Sequence, residues 1–198
     1  MFLGYSILAG EIVHQLRSAL DHLVWQLILD EGATPIDGKT GFPVFHIEAD
    51  YDKYGVRMIA GVATQTATDI RSLQPFHTNP ADTAPLYVLN EMWKREKHRL
   101  LNFASLKIMS GCTTAYVYPS GRTIVDHGVG FNPGPFTDGA ELCRLQYPSD
   151  FTPDVKMSVT YAWAMRFEDA GPATGQSPTE LLTRLVEVVE KAIMLLDR

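Results

Sequence analysis

The chain has 198 residues, of which 45% are apolar, and this length suits one ordinary domain with a core of its own. Its 17 basic and 23 acidic residues give a formal charge of −6, which argues against a broad electrostatic surface for nucleic acid and confines any RNA site to a local basic patch. Two isolated cysteines, Cys112 and Cys143, argue against a disulfide framework and a paired-cysteine metal motif, so we expect a reducing cytoplasm.

The start of the chain is mostly apolar but lacks the basic leading region of a signal peptide. No stretch approaches the roughly 20 apolar residues that cross a bilayer, so no membrane association is expected. The abrupt apolar start also suits a chain from which a preceding helix is missing.

Apolar residues recur at helical spacing in four segments, and each segment predicts a helix with one buried face. Residues 33–62, rich in glycine and proline, show no sustained period and predict an irregular connection that Phe42, Val44 and Phe45 attach to the core. The predicted helices are Ile7–Asp30, Ala63–Leu73 before Pro75, Ala84–Ser105, and a last one from Pro178, where Ser177 and Glu180 have the spacing of a capping box.

Between about Leu106 and Phe167 the apolar residues alternate with polar ones, which is typical of half-buried strands. Pro119-Ser120-Gly121 is too short a connection for anything but a hairpin, so we expect antiparallel pairing. The predicted strands are Cys112–Tyr118, Arg122–Phe131, Ala140–Tyr147 and Met157–Phe167.

These elements predict an α+β fold in a single domain covering residues 1–198. The long N-terminal, central and C-terminal helices form a helical layer from residues 1–105 and 177–198. A small antiparallel β-sheet from the β-rich part, residues 106–168, is inserted before the last helix.

Polar residues concentrate on the predicted faces of the first and third helices. Arg17 and Asp21 share one helical face, whereas His22 lies about 140° round the helix from Arg17. If the two helices pack with their polar faces together, a cluster able to hold an anion follows. Its members would be Arg17, Asp21, Asn90, Lys94 and His98.

The segments GEIVHQLRSALDHLVWQL and NEMWKREKHRLL resemble a widespread, uncharacterised set of bacterial and phage proteins. Arg17-Ser-Ala-Leu-Asp-His22 also resembles the Arg-x4–6-His motif of HEPN-domain ribonucleases, all-helical proteins of toxin–antitoxin and antiviral systems. That family cleaves RNA as a homodimer, without metal or cofactor. The resemblance implies that Arg17 binds the scissile phosphate and that His22 is the general acid or base, a role open to histidine at neutral pH. The residues predicted to bind substrate around this pair are His14, Asp21, Asn90, Lys94, His98 and Arg99.

Two other interpretations stay open. In the first, Arg17 and Asp21 form a helix-surface pair worth a few tenths of a kcal/mol, and the chain is a non-enzymatic binding or assembly module with a structural polar cluster. In the second, His14, His22 and His98 converge on nickel or zinc, as in DinB-like four-helix proteins, although no pair has a metal-ligand spacing.

Overall fold

The computed structural model describes residues 3–97, 103–108, 113–127, 152, 154–160 and 163–197. The first helix, α1, spans Leu3–Asp30 and includes residues before the predicted start at Ile7. The predicted strand at Ala140–Tyr147 lies outside the described residues.

The predicted irregular connection is wrong for residues 48–58, which form one continuous helical run. Gly55, one of the glycines on which that prediction rests, is buried, and a Cβ atom there would lie 2.7 Å from the Tyr51 ring. The glycine thus allows a close internal approach, which its identity alone does not reveal. The run consists of α2 (Glu48–Asp50), a π-helix (Tyr51–Gly55) and α3 (Val56–Met58).

The next helices differ in how well their pattern predicts their ends. Helix α4, Thr64–Ser72, agrees with the prediction, whereas α5, Pro85–Glu96, is shorter than the expected Ala84–Ser105. Residues from Phe103 onward belong to a strand instead, because they pair with a segment far along the chain. Short 3-10 turns lie at Pro75–His77 and Ala81–Thr83.

Five described strands form two antiparallel sheets. The expected hairpin is confirmed, and Gly121 in its turn has a φ of 82°, a conformation that favours glycine. The single strand predicted over Met157–Phe167 is two strands, and they pair in different sheets. A two-stranded sheet joins β1 (Phe103–Ile108) to β5 (Trp163–Phe167), and a three-stranded sheet has the order β3 (Thr123–His127), β2 (Thr113–Val117), β4 (Lys156–Thr160).

The core lies where α1, α5 and the last helix, α6 (Pro178–Leu196), pack against one another. The start of α6 at Pro178 is confirmed, but within the described part of the chain the Ser177 side chain makes no capping hydrogen bond, so the predicted capping box does not form. The helical layer with small antiparallel sheets confirms the α+β class. Among the described residues, no helix is long and apolar enough to cross a membrane.

Candidate functional site

Arg17 and Asp21, one turn apart on α1, hold both backbone polar groups of Phe42. The Arg17 Nη2 atom donates to the Phe42 carbonyl oxygen at 2.7 Å, and the Phe42 N–H group donates to Asp21 Oδ1 at 2.8 Å. Arg17 Nη1 lies 2.8 Å from the same Asp21 oxygen, close enough for an ion pair. We call this arrangement of Arg17, Asp21 and Phe42 the Phe42 clamp.

The clamp arginine is deeply buried. Only 4% of Arg17 is exposed, and its guanidinium carbon lies 5.2 Å from the centre of the Trp93 ring on α5. Burial lowers the pKa of the Arg17 guanidinium, and the neighbouring Asp21 carboxylate opposes that shift. Within the part of the chain that the structure describes, neither Nε nor Nη1 has a well-aligned hydrogen-bond partner, so the Nη1 contact is electrostatic. The guanidinium is thus a desolvated charge that is matched by one carboxylate, one carbonyl and one aromatic face.

Gly41 makes the clamp sterically possible. A Cβ atom at this position would lie 2.8 Å from Asp21 Oδ1, closer than real Cβ contacts occur. A side chain at position 41 would therefore push the carboxylate away from the Phe42 N–H group.

Gln74 continues this pattern on the other side of the same segment. Its Nε2 group donates to the carbonyl oxygens of Pro43 at 2.9 Å and Ile70 at 3.1 Å, and its Oε1 atom accepts from the Phe45 N–H group at 3.1 Å. Gln74 is 2% exposed. Polar side chains from two places in the chain therefore satisfy four backbone groups of residues 42–45, a segment that is neither helix nor strand.

Compared with known proteins, the chain matches no family model, no curated protein and no solved structure.

The structure separates the two residues predicted to be catalytic. Arg17 is buried in the clamp, whereas His22 is exposed and lies about 140° round α1 from it. His14 is exposed as well. Within one copy of the chain, the Arg17 guanidinium is thus engaged by the clamp while His22 faces solvent.

The predicted cluster between α1 and α5 forms in part. Arg17 and Asp21 do come together, and the Trp93 ring of α5 lies against Arg17. Asn90 is buried, and Lys94 is exposed and pairs with Glu91 at 2.7 Å. The other predicted substrate-binding residues, His98 and Arg99, lie outside the described residues.

The residues in the described ranges contain no group of three histidine, cysteine, aspartate or glutamate side chains placed to hold a metal ion. This finding does not cover all three histidines of the DinB-like hypothesis, because His98 lies outside those ranges.

Sequence reasoning missed the two groups that complete the site, the Phe42 peptide and the Gln74 side chain. Phe42 was expected in the core, and its side chain is fully buried there, but its backbone partners leave no mark in the sequence. The nearest signal in the sequence is the run Gly41-Phe42-Pro43, a glycine followed directly by an aromatic residue and a proline. Such a run indicates an extended segment that approaches its neighbours closely.

Proposed function

We propose that this protein is a non-enzymatic binding or assembly module in which the polar residues of α1 form a structural clamp. The burial of Arg17 carries this proposal. The Arg17 guanidinium donates to the Phe42 carbonyl oxygen at 2.7 Å, and only 4% of Arg17 is exposed. It therefore helps to position residues 41–45, and a phosphate would have to displace these contacts. The separate exposure of His22 supports the same choice.

The module would assemble with a second copy through the first turns of α1. Tyr5 and Leu8, three residues apart on one helical face, are 51% and 57% exposed, and Ile7 beside them is 48% exposed. A helix with apolar residues on more than one face is normally covered on more than one face. A second copy of the chain would cover this face with an identical apolar face, as in a two-fold symmetric dimer.

A ribonuclease assay on matched variants tests the first part of the proposal. Wild type, Arg17→Ala and His22→Ala would be incubated with total RNA in EDTA, and their unfolding by urea would be measured in parallel. We expect intact RNA throughout, a loss of about 2–4 kcal/mol in unfolding free energy for Arg17→Ala, and little change for His22→Ala. Cleavage by the wild type that a folded His22→Ala variant lacks would establish the HEPN-like ribonuclease instead.

The second part is tested by the oligomeric state in sedimentation experiments. Leu8→Asp should shift a wild-type dimer to monomer, because a charge would enter an apolar interface. Met194→Asp is the matched control, since Met194 is 75% exposed on α6 and lies outside the proposed surface. A monomeric wild type, or equal dissociation in both variants, would refute assembly through α1.

A further inference from the structure

Residues 36–40, which follow α1 in the chain, form a turn that closes on itself. The N–H groups of Lys39 and Thr40 both donate to the Ile36 carbonyl oxygen, at 3.1 and 2.9 Å. The Ile36 N–H group donates to Thr40 Oγ1 at 2.9 Å. Three hydrogen bonds therefore fix the distance between the two ends of the turn. The next residue, Gly41, lies against the Asp21 carboxylate of the Phe42 clamp.

The tip of this turn is the dipeptide Asp37-Gly38, and both of its residues are exposed. Gly38 has a φ of 69°, and a Cβ atom built on it would meet nothing within 4 Å. Within the described ranges, no group accepts a hydrogen bond from the Gly38 N–H group, unlike the two N–H groups that follow it. The Gly38 nitrogen is therefore accessible, and glycine places no side chain in the way of a group that approaches it.

An accessible Asp-Gly peptide can rearrange without an enzyme, because the reacting atoms belong to neighbouring residues. The Gly38 nitrogen attacks Cγ of the protonated Asp37 carboxyl group. The new N–Cγ bond closes a five-membered succinimide ring, and the carboxyl hydroxyl group leaves as water with the amide proton. Water then adds to either ring carbonyl group. Cleavage of the original C–N bond leaves the chain linked through Cγ, as isoaspartate, whereas cleavage of the new bond restores aspartate.

We propose that Asp37-Gly38 is a site of spontaneous isomerisation to isoaspartate, and that this modification opens the turn. The product has the same mass and keeps one carboxyl group, but its main chain gains a carbon atom, Cβ, and one bond of about 1.5 Å. The hydrogen bonds across the turn match the shorter backbone, so we expect the longer one to break them. This inference is independent of the assembly of α1.

Asp82-Thr83 provides a comparison within the same chain. Asp82 is also exposed, in a 3-10 turn. The Thr83 N–H group, however, donates to the Pro80 carbonyl oxygen at 3.1 Å, and the branched threonine side chain stands beside its nitrogen. The nitrogen that follows Asp82 is thus engaged and shielded, so Asp37 should isomerise in the folded chain and Asp82 should not.

The test is incubation of the folded full chain at neutral pH, followed by trypsin digestion and mass spectrometry. The peptide 18–39 should split into two chromatographic peaks of equal mass, and fragmentation should place isoaspartate at position 37 rather than at Asp21 or Asp30. Asp37→Glu, in which closure would need a six-membered ring, should lose the second peak. A second Asp-Gly pair, at positions 138 and 139, lies outside the described residues and in another tryptic peptide, so it is scored separately.

A parallel incubation in urea shows what the fold itself contributes. We expect isoaspartate at position 37 in the folded and the unfolded chain, with Asp82 intact in the folded one. A folded chain without isoaspartate at position 37, or with equal isomerisation of Asp37 and Asp82, would overturn the site. Urea unfolding then compares aged with fresh samples. Aged wild type should contain a fraction that unfolds at lower urea concentration, and aged Asp37→Glu should not; an unchanged transition in the isomerised wild type would overturn the opening of the turn.

Discussion

A methyl group added at Gly41 tests the Phe42 clamp at the atom on which it depends. An ideal Cβ atom there lies 2.8 Å from Asp21 Oδ1, the oxygen that accepts from the Phe42 N–H group. The nearest atom outside this carboxylate is the Met58 methyl carbon at 3.9 Å, an ordinary contact. Gly41→Ala therefore forces Asp21 to move, and overpacking of this kind costs about 1–3 kcal/mol.

The same substitution should have the opposite sign once the carboxylate is removed. In an Asp21→Ala background nothing obstructs the new methyl group, and the backbone at Gly41 is outside the left-handed region. Alanine then restricts the unfolded chain and is expected to be neutral or to stabilise by up to about 1 kcal/mol. The coupling energy between positions 21 and 41 is the difference, about 1–4 kcal/mol.

The assay is urea unfolding of the wild type, the two single variants and the double variant. Gly4→Ala, for which a Cβ atom would meet nothing within 4 Å, is the control and should have the same effect in both backgrounds. If the effects of Gly41→Ala and Asp21→Ala add to within about 0.5 kcal/mol, the contact between them does not control the clamp and the reasoning fails.

Three further substitutions test other parts of the structure by the free energy of unfolding. Gln74→Leu should cost about 2–4 kcal/mol, because the Pro43 carbonyl oxygen and the Phe45 N–H group lose the partner that Gln74 supplies, while Gln65→Leu at the surface should change stability by less than about 0.5 kcal/mol. Leu185→Ala, at a fully buried position, should cost about 2–5 kcal/mol, and an equal effect of Met194→Ala would contradict the assigned core. Burial raises the pKa of Tyr51, so its contribution to the free energy of unfolding is complete below about pH 10 and is lost as the pH rises through the higher pKa of the folded state. Tyr51→Phe should therefore flatten the fall of the unfolding free energy at alkaline pH. An unchanged slope of unfolding free energy against pH would contradict this expectation.

The fold could be predicted where a pattern is contained within one segment. Helices α1, α4 and α6 each show their buried face in their own spacing, and Pro178 marks the start of α6. The end of α5 could not be found in this way. Residues 103–105 lie within the helix predicted over Ala84–Ser105, but Phe103 pairs with Phe167 in a strand, and such distant pairing is not encoded in local periodicity.

The candidate site could be predicted to a similar depth. The spacing of Arg17 and Asp21 correctly indicates that they can pair, since residues four apart on a helix are neighbours. It does not indicate that the pair is buried, because that depends on where the Phe42 peptide packs. The description of Arg17 and Asp21 as a surface pair worth a few tenths of a kcal/mol is therefore wrong, because Arg17 is buried. The spacing of Arg17 and His22 alone likewise does not show that the first side chain is buried and the second exposed.

The way in which residues 42–45 are held restricts the length of this segment. Its backbone partners are Arg17 and Asp21 on one side and Gln74 on the other, so two fixed anchors grip neighbouring peptides. One residue inserted or deleted between these anchors would shift the backbone, so that an N–H group would lie where one of these side chains needs a carbonyl oxygen. The hairpin turn at Ser120-Gly121, in contrast, is exposed and can grow outward into solvent. An irregular segment of this protein is thus expected to tolerate changes of length less readily than the loop between two strands.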